Sequence, residues 1–178
     1  PYPMQELAGK TLAVVGYGSI GRKVAAIGAA FGMRPVIATR TQPADCPYPL
    51  VTVDEAFRLA DVLTLHVPLT EQTAGMVNAR RLSAMKPTAL LVNTARGGLI
   101  VETDLAQALR DGVIAGAALD ALTEEPMGDT PLADLENCTL TPHVAWTPLE
   151  TRQRLLEQAV ENVRCWLDGK PQNVITAP

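Results

Sequence analysis

The sequence predicts an α/β fold built on a doubly wound parallel sheet. Six short apolar runs recur along its 178 residues, and stretches with helical signals separate them. The hydrophobicity of each run is continuous rather than alternating, which is typical of strands buried on both faces. Helices between such strands imply parallel pairing. A chain of this length is expected to form one domain, spanning residues 1–178.

The six runs give the predicted strands in chain order. They read TLAVVG, PVIAT, VLTLHV, ALLVNT, VIAGAALD and CTLTPH.

Two helices are expected in the first third of the chain. Ser19 is the expected N-cap of a helix that runs to about Phe31. A second, short helix is expected to open at Asp54 or Val53 and to end before Asp61.

Two further helices are expected later in the chain. The stretch VETDLAQALRDG offers Thr103 as a start and Gly112 as a stop. The last helix is expected from about Pro148, a good first-turn residue, to Leu167, and Gly169 ends it.

Composition excludes several classes of function. The formal net charge is −4 and no basic run is present, so nucleic acid is not an expected partner. Three scattered cysteines, Cys46, Cys138 and Cys165, lack metal-ligand spacing and suit a reducing compartment, and no metal is expected. No signal-peptide pattern opens the chain and no apolar run approaches the roughly 18 residues of a membrane span, so a cytoplasmic location is expected.

A glycine motif follows the first predicted strand. Gly16, Gly18 and Gly21 have the spacing G-x-G-x-x-G between a strand and a helix. The first permits a tight turn, the second lets the backbone approach a pyrophosphate, and the third lets helix and strand pack closely. The helix N-terminus then offers free N–H groups to phosphates. This context predicts a Rossmann-like dinucleotide-binding domain rather than a glycine turn without a ligand.

The end of the second predicted strand bears on the choice of cofactor. A site for NAD is expected to carry an acidic residue there, which accepts the ribose hydroxyls and repels a 2′-phosphate. This chain has Thr39, Arg40 and Thr41 instead. A hydroxyl removes the repulsion and a guanidinium can bind the phosphate, so NADP is predicted to be preferred over NAD. The alternative is an exposed arginine that stacks on the adenine, with NAD still accepted.

Three further stretches lie at or just after the carboxyl ends of predicted strands, which is the edge where such sheets bind ligands. They are NTARGGLI with Arg96, ALDALTEEP with Asp120 and Glu125, and TPHVAW with His143. Each residue alone has a structural explanation: a turn, a solvated loop charge, or a packed histidine. Together at a nicotinamide pocket, an arginine, a carboxylate and an imidazole suit the reduction of a carbonyl group.

These motifs, with LHVPLTEQTAGMVN and LSAMKPTALLVNTARGGLI, occur in the order found in one known family. Over residues 7–174 the chain resembles the cofactor-binding domain of the D-isomer-specific 2-hydroxyacid dehydrogenases. The form TPHVAW, with Trp146, most resembles the glycerate dehydrogenases, also called hydroxypyruvate reductases.

The resemblance implies roles for individual residues. Arg96 would bind the substrate carboxylate and polarise the carbonyl, His143 would be the general acid/base, and Glu125 would pair with His143. The residues implied or predicted to bind the cofactor are Gly16, Gly18, Ser19, Ile20, Gly21, Thr39, Arg40, Thr41, Val67, Pro68, Thr73, Thr94, Ala95, Arg96, Asp120, His143 and Ala145. His66, the second histidine, is interpreted as a loop-ordering or adenine-side residue.

The resemblance also implies an activity and an assembly. The expected reaction is hydride transfer between a nicotinamide cofactor and a small D-2-hydroxy acid or 2-keto acid, with reduction of hydroxypyruvate or glyoxylate. In this family a second domain closes over the cofactor domain; the chain is expected to lack it and, alone, to turn over little. A nucleotide-sensing module like the corepressor relatives is the alternative. A homodimer is expected, through the loop from Leu99 to Thr103 and the stretch PYPMQEL.

Overall fold

The computed structural model describes residues 4–41, 43–126 and 128–175. The start of PYPMQEL, Met127 in the loop that carries Glu125, and the last three residues lie outside these ranges. The chain divides into two compact units, Pro1–Pro142 and His143–Pro178. A single domain over residues 1–178 stays a prediction.

The first unit contains a parallel sheet of the predicted kind. Its order is β2-β1-β3-β4-β5-β6, and every neighbouring pair is parallel. All six predicted strands are confirmed, as β1 (Thr11–Val15), β2 (Arg34–Ala38), β3 (Val62–Leu65), β4 (Leu90–Asn93), β5 (Gly116–Leu119) and β6 (Cys138–Leu140). The strand order reverses between β1 and β3, which is where doubly wound sheets bind ligands.

Helices connect the strands. The first unit has α1 (Ser19–Ala30), α2 (Val53–Leu59), α3 (Ala79–Leu82) and α4 (Glu102–Arg110), with a 3-10 turn at Gly97–Leu99. The second unit contains α5 (Leu149–Leu167). Gly112 and Gly169 follow α4 and α5 with φ of 66° and 72°, as predicted for helix ends.

Two predicted helix starts are wrong. Gly18, not Ser19, is the N-cap of α1, and no side chain caps it, so Ser19 is already the first helical residue. Helix α4 begins at Glu102 rather than Thr103. The Glu102 carboxylate accepts hydrogen bonds from Thr123 N at 2.7 Å and Thr130 Oγ1 at 2.8 Å. The helix start is therefore in contact with a loop more than twenty residues away, and the local sequence pattern does not show this contact.

Both faces of the sheet are buried, as continuous hydrophobicity predicts. Along β1, Ala13 and Val15 belong to the larger core cluster, which includes Phe57. Leu12 and Val14 point to the other face and pack in a smaller cluster with Ala25, Met33 and Ile37.

The predicted dimer contact around Leu99 needs correction. Leu99 is fully buried and Ile100 is 4% exposed, both within the larger core cluster. Their side chains fill the core under α4, so they are not available to a second copy. Met4 and Leu7, from the stretch PYPMQEL, are exposed.

The three cysteines are free thiols. Burial, reinforced by the Glu102 carboxylate, raises the pKa of Cys138 to about 11, so this thiol stays protonated near neutral pH. Within the described ranges, no cluster of three or more His, Cys, Asp or Glu residues could hold a metal ion. No helix in the same ranges is long and apolar enough to cross a membrane.

Candidate active site

The predicted ligand residues of the first unit follow the carboxyl ends of its parallel strands. Gly16 follows β1, Thr39 follows β2, and Val67 lies two residues after β3. Arg96 and Asp120 follow β4 and β5. Since parallel strands share one direction, these positions meet at a single edge of the sheet.

A cavity of about 500 Å³ lies at the strand-order reversal. It brings together eight of the predicted cofactor residues: Gly16, Gly18, Thr39, Arg40, Thr41, Val67, Pro68 and Thr73. The remaining lining residues are Val15, Tyr17, Ala38, Val51, Thr52, Val53, His66, Thr70 and Gln72. The volume is of the size that ligand sites commonly have.

The three glycines of the motif have three different surroundings. Gly16 has φ of 99°, and a Cβ there would collide with the His66 carbonyl group. A Cβ at Gly21 would collide with the Gly16 carbonyl oxygen, because helix α1 packs closely on the turn. Gly18 has nothing within 4 Å, so open space lies where a pyrophosphate would approach the backbone.

The N-terminus of α1 fits a phosphate group. It begins directly after Gly18, and no side chain takes a capping hydrogen bond from its first N–H groups. These donors, with the positive end of the helix dipole, suit an anion. Ser19 and Ile20 lie in this first turn and are exposed, although they do not line the cavity of about 500 Å³.

The lining beyond β2 carries no negative charge. None of the described residues that line the cavity is acidic. Thr39 is half-buried and Arg40 is exposed. Whereas Arg22, Arg80 and Arg81 are paired with carboxylates, Arg40 has no carboxylate partner among the described residues.

Thr73 organises the wall contributed by the loop after β3. Its hydroxyl donates to Pro68 O at 2.7 Å and accepts from Thr70 N at 2.8 Å. The loop is therefore held by a side chain that also lines the cavity.

His66 lies between the glycine turn and this loop. Its N–H donates to Val15 O at 2.7 Å, and its Nε2 is 2.9 Å from Thr64 Oγ1. Burial lowers the pKa of His66, which favours the neutral ring. These contacts hold His66 against strands β1 and β3, and its loop-ordering or adenine-side role stays a prediction.

Asn93 braces the turn that presents Arg96. Its buried side chain donates from Nδ2 to Arg96 O at 2.9 Å and accepts at Oδ1 from Ala95 N at 3.0 Å. The exposed Arg96 guanidinium donates to Ala95 O at 2.7 Å. Thr94, Ala95 and Arg96 therefore form a fixed turn at the ligand edge, outside the cavity of about 500 Å³.

The loop that carries Glu125 packs against this turn. A Cβ at Gly97 would collide with the backbone of Leu122, so the two backbones are in close contact. Glu125 is exposed, and its Oε1 accepts from Leu122 N at 3.1 Å.

Asp120 is a buried acid at the end of β5. It is 6% exposed, its N–H donates to Asn93 O at 2.9 Å, and its carboxylate accepts a hydrogen bond from the Thr141 hydroxyl. Its position beside the Arg96 turn fits the predicted nicotinamide end of the site.

His143 and Ala145 belong to the second unit. His143 is half-buried and has φ of 54°, in the left-handed region that few residues other than glycine adopt. Such backbone outliers cluster at functional sites. The pairing of His143 with Glu125 stays a prediction.

Sequence reasoning missed several residues of this site. Tyr17, Val51, Thr52 and Gln72 line the cavity. The local pattern could have identified Thr52, because Thr-x-x-Glu is a capping-box sequence and Thr52 with Glu55 forms that box at α2. No local pattern marks Asn93, whose function depends on the backbone that folds around it.

Comparison with known proteins gives a family match. Residues 1–145 match the family model described as "D-isomer specific 2-hydroxyacid dehydrogenase, NAD binding domain". The chain is 46% identical to a glycerate dehydrogenase of Methylorubrum extorquens, over 99% of this chain and 56% of that protein. It is 42% identical to a hydroxypyruvate reductase of Blautia hydrogenotrophica, over 98% of this chain and 55% of that protein.

A solved structure of similar fold contains a bound cofactor. It is the acyclic imino acid reductase Bsp5 in complex with NADPH and D-Arg, which is 36% identical with a TM-score of 0.93. The similarity covers 99% of this chain and 57% of that one. The chain spans about half the length of the curated relatives it matches.

Proposed function

Because the chain belongs to the D-isomer-specific 2-hydroxyacid dehydrogenase family, as its NAD-binding domain, we propose that the whole protein transfers a hydride between a nicotinamide cofactor and a small D-2-hydroxy acid or its 2-keto acid. The observation that carries this proposal is the cavity at the strand-order reversal, which contains the glycine turn. The turn of Arg96 at the end of β4 supports it further.

The cofactor, when bound, supplies or accepts the hydride. Arg96 binds the substrate carboxylate, since its planar fork matches a carboxylate better than a lysine does. As the carbonyl oxygen gains negative charge, protonated His143 donates a proton to it. Glu125 pairs with His143 and orients its imidazole for this proton transfer.

Hydroxypyruvate and glyoxylate are the substrates that we propose for reduction. The two curated relatives named above are called a glycerate dehydrogenase and a hydroxypyruvate reductase, which supports a three-carbon acid. Because both relatives are named as enzymes, they do not favour the alternative of a nucleotide-sensing module.

NADP is the cofactor that we propose to be preferred over NAD. Two observations on the described residues support this choice: the cavity lining has no acidic residue, and Arg40 has no carboxylate partner. The NADPH complex of the imino acid reductase gives a precedent within the same fold.

The proposal extends to the cellular location, the oligomeric state and the partners of the protein. The free cysteines support a cytoplasmic location, which fractionation of the source cells tests. We propose a homodimer that acts on small molecules and has no nucleic-acid partner.

Replacement of the matching region in the Methylorubrum extorquens enzyme tests the proposed reaction. A chimera that carries this chain in that region is expected to oxidise NADPH when hydroxypyruvate or glyoxylate is added. The 178-residue chain alone is expected to bind cofactor but to turn over little, because substrate contacts and the exclusion of water need the rest of the protein.

The arginine of the ligand edge provides the specific control. In the chimera, Arg96→Met is expected to abolish keto-acid turnover although NADPH still binds. A folded chimera that binds NADPH and reduces neither acid would contradict the proposed reaction. Turnover by the isolated chain at ordinary enzyme rates, about 1–10³ s⁻¹, would contradict only the expectation that this chain alone turns over little.

A further inference from the structure

The loop after β2 contains the residues proposed to distinguish the two cofactors. This cofactor-specificity loop comprises the described residues 39–41 and 43–48, and its first three residues line the cavity. Backbone hydrogen bonds fix both ends: Gly16 N donates to Ala38 O at 2.8 Å, and Ile37 N donates to Pro49 O at 2.9 Å. Between these ends the loop depends on side-chain contacts for its position.

One such contact is a two-pronged ion pair with helix α1. Arg22 donates from Nη1 to Asp45 Oδ2 at 2.8 Å and from Nη2 to Asp45 Oδ1 at 3.0 Å. Bidentate pairs of this kind fix geometry as well as adding energy. Arg22 lies in the first turns of the helix that begins at the glycine motif, so the pair joins this motif to the loop.

Tyr17 extends the connection into the cavity wall. The Arg22 guanidinium lies over the Tyr17 ring, 4.5 Å from its centroid. Tyr17 and Cys46, the neighbour of Asp45, both pack against the smaller core cluster, and Cys46 adds to the effect of burial in raising the pKa of Tyr17. Tyr17 itself lines the cavity between Gly16 and Gly18. The glycine turn and the cofactor-specificity loop therefore contact each other through two adjacent side chains of the loop.

The pair also neutralises a negative charge on the cofactor-specificity loop. Asp45 lies five positions after Arg40 in the chain, and an unpaired carboxylate would add negative charge to the loop that is proposed to bind a 2′-phosphate. Arg22 neutralises this carboxylate and holds the pKa of Asp45 below its ordinary value. Arg40 remains without a carboxylate partner in the part of the chain that the structure describes.

We propose that Arg22 and Asp45 are positioning residues that determine cofactor specificity: their ion pair holds the cofactor-specificity loop where Thr39 and Arg40 bind the 2′-phosphate of NADP. This inference rests on the proposed preference for NADP. It assigns no contact with the cofactor to Arg22 or Asp45, which act through the loop.

Competitive titration of the 178-residue chain with NADPH and NADH tests the inference. The variants are Arg22→Gln and Asp45→Asn, each of which breaks the pair and keeps a polar side chain. Both are expected to reduce the NADPH preference by roughly threefold to fivefold, the range that loss of an exposed ion pair allows. NADH affinity is expected to stay within about twofold, which also shows that the variants are folded.

Asp54→Asn is the matched control. It removes the ion pairs of Asp54 with Arg80 and Arg81, which do not involve the loop. Its NADPH preference is expected to equal that of the wild type.

The sign of the Asp45→Asn effect separates positioning from simple charge. If the carboxylate acted only as a repulsive charge, Asp45→Asn would raise the NADPH preference while Arg22→Gln lowered it, and that result would overturn the inference. An unchanged preference in both variants would overturn it too. A wild type without NADPH preference would instead contradict the proposed function, and the inference would fall with it.

Discussion

Thr39 and Arg40 are the two side chains on which the proposed cofactor preference depends. A carboxylate after β2 would accept the ribose hydroxyls of NAD and repel a 2′-phosphate. Here the described lining of the cavity is free of acidic residues, and Arg40 is exposed beside it. A guanidinium at this point offers two parallel donors to a phosphate.

The double change Thr39→Asp with Arg40→Ala tests this residue-scale argument. A lost charge-assisted hydrogen bond costs about 1.5–3 kcal/mol, and each 1.4 kcal/mol is about tenfold in affinity. NADPH binding is therefore expected to weaken at least tenfold, whereas NADH binding changes less or improves. Calorimetric titration of both chains with both cofactors measures this.

The alternative makes a different forecast for the same titration. An arginine that only stacks on adenine does not distinguish the cofactors, so both affinities would fall together. Equal dissociation constants for NADH and NADPH in the wild type, with a ratio that the double change does not move, would show that Arg40 binds no phosphate.

Residues differ in how far the sequence reveals them. Gly16 and Gly21 were predictable because neither position tolerates a Cβ: Gly16 has a positive φ, and Gly21 packs closely against the turn. Asn93 and Tyr17 were not, because their partners are a turn three residues on and a loop almost thirty residues away. Such contacts exist only in the folded chain, and no local sequence pattern marks them.

At the scale of elements, helices α2 and α3 are joined by one carboxylate. Asp54 accepts hydrogen bonds from Arg80 Nη1 at 3.1 Å and Arg81 Nε at 2.8 Å. Arg81 also donates to Met76 O at 2.8 Å and lies 5.8 Å from the Phe57 ring centroid. The two arginines lower the pKa of Asp54 from 3.8 to about 2.

This pKa predicts a pH-dependent stability. A carboxyl group with a lowered pKa in the folded state stabilises the fold above its ordinary pKa, here 3.8, and the contribution is lost as pH falls toward 2. Asp54→Asn should therefore be less stable than the wild type at pH 6, and the difference should shrink at pH 3. Urea unfolding midpoints at both pH values measure it.

Asp111→Asn is the control for this comparison, since it removes an exposed carboxylate bound only to Gln107 within the described contacts. It should show a much smaller difference at pH 6. A gap between wild type and Asp54→Asn that is as large at pH 3 as at pH 6 would contradict the assignment of the pKa to the two arginines.

Elements were predictable to different degrees for a related reason. The six strands and the end of α5 follow from continuous hydrophobicity and from glycine after the helix. Helix α3 has four residues, too few for a periodic pattern, and is held by Asn78, which accepts from Arg81 N, and by Asp104, which accepts from Ala79 N. Contacts from elsewhere in the chain decide such short elements.

At the scale of the whole molecule, α5 carries an exposed apolar stripe. Leu149, Leu156, Val160, Val163 and Leu167 follow each other at helical spacing, and each is more than half exposed. Contiguous exposed apolar patches often mark contact surfaces, which makes this stripe a candidate for one. Met4 is 99% exposed at the other end of the chain.

We expect a homodimer in solution. Sedimentation equilibrium of the 178-residue chain at micromolar concentration should give twice the chain mass of 19.0 kDa. Leu156→Glu with Val163→Glu should weaken the dimer if the stripe contributes to it, and the exposed polar change Gln158→Glu is its control. A wild type that sediments only as a monomer at these concentrations would contradict the expectation.

Thr39 and Arg40 lie outside both core clusters, immediately after an edge strand whose last residue, Ala38, is buried. Substitutions at such surface positions usually leave stability within about 0.5 kcal/mol. The glycine turn has no such freedom, because Cβ atoms at Gly16 and Gly21 would collide with backbone. Changes of the proposed cofactor preference at these two positions are therefore expected to leave the fold intact, whereas changes in the glycine turn are expected to disrupt both the fold and the proposed binding of either cofactor.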